Sequence, residues 1–169
     1  EQVPIVQKHF IKRCNQVGKP VVTATQMLES MTSNPRPTRA EVSDVANAVY
    51  DMTSCIMLSG ECAMGKYPVE CVNTMVKISK AIEGTVNYWK RFNKKNYKKI
   101  DAEDLEKNIA YTTCVTAYQV EADAIVAYTH KGDSVRMIAG MGPGCPIFAV
   151  TDNEKTYYQL SVVWNVTPI

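Results

Sequence analysis

Residues 19–31, KPVVTATQMLESM, constrain this chain more than any other stretch. Pro20 to Thr25 is short, apolar and β-branched, with Gly18 before it and a polar helix start after it. That composition predicts a buried parallel strand. The strand ends in Thr25 and Gln26, a hydroxyl and an amide. In parallel α/β folds the carboxyl ends of strands are where ligands are handled. Cys55 to Leu58 repeats the arrangement and runs into Ser59, Gly60 and Glu61. Two neighbouring strands are therefore expected to deliver a hydroxyl each to one rim.

The rest of the first half fits between and around those strands. Val6, Phe10, Ile11, Cys14 and Val17 recur at helical spacing over residues 2–17, and Gly18 is a stop. A short helical turn is expected from Gln26. Asn34-Pro35-Arg36-Pro37 breaks the chain, and Thr38 with Glu41 forms a capping box that opens a helix to about Asp51. Its predicted inner face carries Val42, Val45, Ala46 and Val49. Pro68 suits the first position of a helix to about Thr85, with Val72, Met75, Val76, Ser79 and Ile82 inward. The resulting α-β-α-β-α order calls for a parallel sheet.

Residues 88–101 change character. Six of the ten residues from Lys90 to Lys99 are Lys or Arg, with Trp89, Phe92 and Tyr97 among or beside them. Such a stretch is compatible with nucleic acid, but it reads as a solvated connector. Beyond it a second α/β unit is expected over 102–169. It comprises a helix from Ala102 to Val120, strands at 124–128 and 146–151, helices opening at Ser134 and over 153–160, and a strand near Val162 to Val166.

Composition narrows the function classes. With 169 residues and 46% hydrophobic content the chain can bury one or two cores. A net charge of +2 does not call for a nucleic-acid partner. No apolar run approaches the ~20 residues of a membrane span, and no signal-peptide pattern opens the chain. Cys14, Cys55, Cys62, Cys71, Cys114 and Cys145 are scattered without a C-x-x-C pair, which reads as reduced, packed thiols in a cytoplasmic protein. A zinc site lacks the spacing and has only His9 and His130 to draw on. No metal-ligating set is proposed from these residues.

Three consecutive blocks carry a resemblance: KPVVTATQMLESM, then NPRPTRAEVSDVANAV, then IMLSGE. In order and spacing they resemble pyruvate kinase, strongly to about Glu83 and more weakly beyond. The resemblance implies the last two βα units of a (β/α)8 TIM barrel (residues 1–87), the connector, and most of a three-layer αβα C-terminal domain (residues 102–169). It implies transfer of a phosphoryl group from phosphoenolpyruvate to ADP, with Mg2+ and K+, in a cytoplasmic homotetramer. It also implies that the catalytic lysine, the metal carboxylates and the lid domain precede Glu1, and that one or two strands follow Ile169. This chain alone is therefore expected to be inactive.

The resemblance also gives residues roles. Thr25, otherwise read as a structural hydroxyl at a strand end, matches a threonine that bonds the phosphoenolpyruvate carboxylate. Ser59 matches a serine near the enolate that must be protonated, and a hydroxyl suits a relay because it donates and accepts at once. Glu61 stands beside Ser59 as a catalytic candidate, with two readings open: a proton reservoir or a turn residue. Where the family usually has threonine next, this chain has Cys62. Arg36 and Arg39 match a segment at a subunit interface, where Arg39 suits a bidentate carboxylate contact. Thr129, Gly132 and Ser134 lie in a loop that could cradle the phosphate of a sugar-phosphate or nucleotide effector. Asp133 puts a negative charge into that loop, so a plain αβ connection is the favoured reading.

Two other classes compete with the enzyme. One is a non-catalytic interaction or regulatory fragment that works through the capped helix and the second domain. The other is a free-standing nucleotide-binding domain, against which the lack of G-x-G-x-x-G or a P-loop counts.

Overall fold

The computed structural model describes residues 2–94 and 100–169. Tyr97 and the lysines at 95, 98 and 99 of the basic connector lie outside the described residues. The chain forms two compact units, one of residues 22–86 and one of residues 1–21 with 87–169.

In the 22–86 unit, strands β1 (Val22–Ala24) and β2 (Cys55–Met57) pair in parallel, with Val22 opposite Cys55 and Ala24 opposite Met57. Beneath the pair the Thr23 hydroxyl donates to Thr53 Oγ1 (2.9 Å), and Thr53 donates to the Cys55 carbonyl (3.1 Å). Helix α2 (Arg39–Tyr50) crosses between the strands and begins in the expected capping box. Thr38 Oγ1 accepts from the Glu41 N–H, while the Glu41 carboxylate accepts from the Thr38 N–H at 2.7 Å. One turn of helix, α3 (Gly60–Ala63), follows β2, and α4 (Pro68–Glu83) starts on its proline. The short helical turn expected from Gln26 is a 3-10 turn that starts three residues later, at Glu29–Thr32.

The core of this unit is Met27, Leu28, Met31, Val45, Ala48, Cys71 and Met75. It corrects two predicted helix faces. On α2 Val45 and Ala48 are buried while Val42 is 36% exposed. On α4 Cys71 and Met75 are buried, and Val72 and Val76 lie outside. Cysteine and methionine fill apolar space as well as β-branched residues do, so a pattern that weighted valine chose the neighbouring stripe.

The other unit begins with α1 (Val3–Gln16), continues through α5 (Tyr88–Lys94) and α6 (Leu105–Gln119), and closes with β3 (Ile125–Tyr128), α7 (Asp133–Met141), β4 (Ile147–Val150), α8 (Glu154–Leu160) and β5 (Val166–Pro168). Its sheet is parallel in the order β3-β4-β5, with Ile125 opposite Ile147 and Ile147 opposite Val166. Ala110, Cys114, Ile125, Val135, Ile138, Ile147 and Leu160 are among its core residues. Val126 and Tyr128 point to the other face of β3 and are exposed. Helix α1 packs on α7, closely enough that a Cβ on Gly140 would run into the carbonyl oxygen of Asn15.

Two expectations shift in this unit. The described start of the connector is helical: α5 buries Phe92, which stacks on Tyr111 and packs beside Trp89 and Tyr118. The last strand starts at Val166, not near Val162, because Asn165 sits in the left-handed region (φ 57°) and ends a turn first. Its side-chain amide holds that turn by donating to the Cys145 carbonyl at 2.8 Å. Among the described residues no helix is long and apolar enough to cross a membrane, and no cysteine pairs in a disulfide.

Candidate active-site rim

The register of β1 and β2 brings the two predicted strand ends side by side. Ala24 is opposite Met57, so Thr25 and Ser59 leave adjacent strands at the same end of the pair. Thr25 is exposed and Ser59 half-buried. Both have unusual backbones. Thr25 (φ 69°) and Gln26 (φ 53°) are left-handed although neither is glycine, and Ser59 has φ −118° with ψ −102°. A β-branched residue in the left-handed region costs on the order of 1–3 kcal/mol and persists only where surrounding contacts over-determine it.

Those contacts come from two carboxylates. Glu61 is fully buried. One of its oxygens accepts from the Leu28 N–H (3.0 Å) beyond β1, and the other from the Ser59 N–H (2.7 Å) beyond β2. Burial alone would raise its pKa, but the N–H groups of Leu28, Glu61 and Ser59 outweigh it and hold the carboxyl below its ordinary value. Glu41 does the same from α2. Its carboxylate accepts from the Ser30 N–H (2.7 Å) and hydroxyl (2.6 Å) as well as from the Thr38 N–H and hydroxyl. Desolvation opposes these bonds, and their sum also leaves Glu41 below its ordinary pKa. The loop after β1 is thus strapped at Leu28 and at Ser30.

The remaining predicted residues fall elsewhere. Arg36 and Arg39 are exposed around the start of α2, and Cys62 is exposed on α3. Thr129, Gly132 and Ser134 belong to the other compact unit. There the buried Thr129 hydroxyl accepts from the Gly132 N–H at 2.8 Å, and Gly132 takes the left-handed conformation (φ 85°) that opens α7. Ser134 is exposed. Asp133 pairs with Arg136 at 2.9 Å, and Arg136 also donates to the Lys131 carbonyl. Beside the loop, His130 Nδ1 and Asp152 share a 2.7 Å hydrogen bond. The His130 bond, ahead of a Tyr128 bond, holds the Asp152 carboxyl below its usual range.

Sequence reasoning did not find the Glu41–Ser30 strap or the His130–Asp152 pair. The capping box was a signal for the first, but only for its local half. The second joins the loops that follow β3 and β4 and has no local signature. Among the described residues no cluster of three His, Cys, Asp or Glu side chains could hold a metal ion.

Known proteins match this arrangement along its whole length. A family model described as "Pyruvate kinase, barrel domain" matches residues 1–72, and one described as "Pyruvate kinase, alpha/beta domain" matches residues 107–169. A pyruvate kinase of Clostridium acetobutylicum is 48% identical over 170 residues, covering 100% of this chain and 35% of that relative. One from Sporosarcina psychrophila is 48% identical over 169 residues, covering 28% of its own length. The crystal structure of a pyruvate kinase from Cryptosporidium parvum superposes with a TM-score of 0.94 at 37% identity, over 100% of this chain and 34% of that one. This chain therefore spans about a third of the length of the proteins it resembles. With both family models matched in order, and the fold of a solved member reproduced over every element, the chain belongs to the pyruvate kinase family.

Proposed function

We propose that this chain works as part of a pyruvate kinase that moves a phosphoryl group from phosphoenolpyruvate to ADP, giving pyruvate and ATP in the cytoplasm. In this reading residues 1–87 complete a catalytic barrel, 88–101 connect, and 102–169 belong to the αβα domain. The Thr25 hydroxyl donates to the phosphoenolpyruvate carboxylate. Phosphoryl transfer leaves an enolate, and Ser59 passes it a proton, since one hydroxyl can accept from water while donating onward. The observation that carries this reading is the left-handed backbone of Thr25 beside the end of β2. Strain held in place by buried hydrogen bonds at a strand end is a mark of a working site.

Mg2+ and K+ would neutralise charge on the moving group. The described residues make no metal-ligand set, so in this reading the ligands, like the catalytic lysine, come from the two thirds of family length outside this span. Arg36 and Arg39 would face a neighbouring subunit of a homotetramer. Thr129, Gly132 and Ser134 stand as a candidate effector loop, with a plain αβ connection as the competing role.

The test is Thr25→Ala in a full-length enzyme that contains these residues. Losing a hydrogen bond to a charged group costs about 1.5–3 kcal/mol. The Michaelis constant for phosphoenolpyruvate should therefore rise on the order of ten- to a hundredfold, with that for ADP unchanged. Unchanged constants for both substrates, at unchanged turnover, would reject the assignment.

A further inference from the structure

We propose that Glu61 is a positioning residue, a buried clamp that ties the strand ends carrying Thr25 and Ser59 to each other, and not the store of the proton delivered to substrate. This inference rests on the functional reading above and assigns a role within the same site.

Three observations carry it. Both oxygens of Glu61 are engaged by backbone N–H groups on different loops, Leu28 beyond β1 and Ser59 beyond β2. The side chain has no exposed surface, so water cannot reload it with a proton from outside. Each loop it holds carries an unusual backbone: Thr25 and Gln26 precede Leu28, and Ser59 is itself an anchor. A proton store must exchange protons within its working cycle. A carboxylate that accepts two backbone N–H bonds becomes a poorer acceptor for them when it takes up a proton, and would loosen a strained loop in doing so. The charged and titratable groups facing it are the Glu41 carboxylate and the Cys71 thiol. Neither is a cation that could take the clamp's place as partner. The proton must then reach the rim through the hydroxyls and bulk water.

The experiment has two arms. In the first, amide exchange is followed in this chain and in Glu61→Gln, which keeps the shape but turns a donor toward one of the two N–H groups. In the wild type the Leu28 and Ser59 amides should exchange far more slowly than exposed-loop amides such as that of Arg36. In Glu61→Gln at least one of the two should accelerate tenfold or more, with Ile125 and Ile147 in the other unit unchanged. Wild-type Leu28 and Ser59 amides that exchange like loop amides, or that ignore the substitution, would overturn the clamp.

In the second arm this chain replaces the matching third of the Clostridium acetobutylicum relative. Glu61→Gln should lower turnover there while the pH profile of pyruvate enolisation keeps both limbs at their wild-type positions. Loss of a limb would make Glu61 the proton store and overturn the proposal. A chimera inactive with the native glutamate would instead refute the functional reading, leaving the first arm to decide the clamp.

Discussion

At the scale of single residues, the rim is governed by two acids that do not behave as surface acids. Glu41 and Glu61 both have folded pKa values lowered from the ordinary 4.5, despite desolvation acting the other way. A depressed folded pKa contributes stability that is complete above the unfolded value and is lost as pH falls through the folded one. The 22–86 unit should therefore hold its urea midpoint from pH 7 to about 4.5 and lose it progressively below. Amide signals of Thr23 and Ala48 would report this, and Glu41→Gln should flatten the fall. A wild-type midpoint constant down to pH 3 would mean the bonds to Ser30, Leu28 and Ser59 are not maintained. That Thr25 and Ser59 follow the ends of two strands is legible in the sequence because strand composition and its end are local signals. The left-handed backbone at Thr25 was not, since neither Thr25 nor Gln26 is a residue type that favours it. Nor was the burial of Glu61, because the Leu28 N–H that makes it tolerable comes from 33 positions away.

Among elements, α2 does more than span two strands. Its first turn is stapled to itself by the Thr38–Glu41 box, and the same carboxylate reaches back to Ser30 in the 3-10 turn. Thr38→Ala removes one cap acceptor and one donor to Glu41. It should cost about 1 kcal/mol of the stability of the 22–86 unit, the usual worth of an N-cap. Ser30→Ala, which removes only the 2.6 Å hydroxyl bond to Glu41, should cost a similar amount, and the double variant less than the sum, because both act through one carboxylate. Strictly additive losses in urea titrations would show that box and strap are independent. Boundaries of α2, α4 and α7 were readable because caps, a proline and a glycine are local. The inward stripe of α4 and the burial of Phe92 were not, since both depend on surfaces supplied by distant residues.

For the molecule as a whole, the two sheets are unequally protected. The β1–β2 pair has an open edge on each side, and Val22 and Met57 are 50% and 43% exposed. In the three-stranded sheet Ile125 and Ile147 are 7% and 0% exposed, although Val126 on the far face is not covered. Short pairs of strands are marginal on their own. In dilute monomeric chain the amides of Val21–Thr25 and Ile56–Leu58 should exchange faster than those of Ile125–Tyr128. Equal or greater protection of the first set, with a monomer by light scattering, would show that the smaller sheet stands alone. The alternation of strands and longer helices was readable outside the connector, but the helix α5 within it and the partner of α1 were not. Contact of α1 with α7 has a consequence for synthesis. The ribosome releases Val3–Gln16 more than a hundred residues before Asp133–Met141. At ordinary elongation rates that is a wait on the order of ten seconds. During that time the face destined for Gly140 waits for α7. A newly made polypeptide thus carries Val3–Gln16 without its α7 contact until residues 133–141 have emerged.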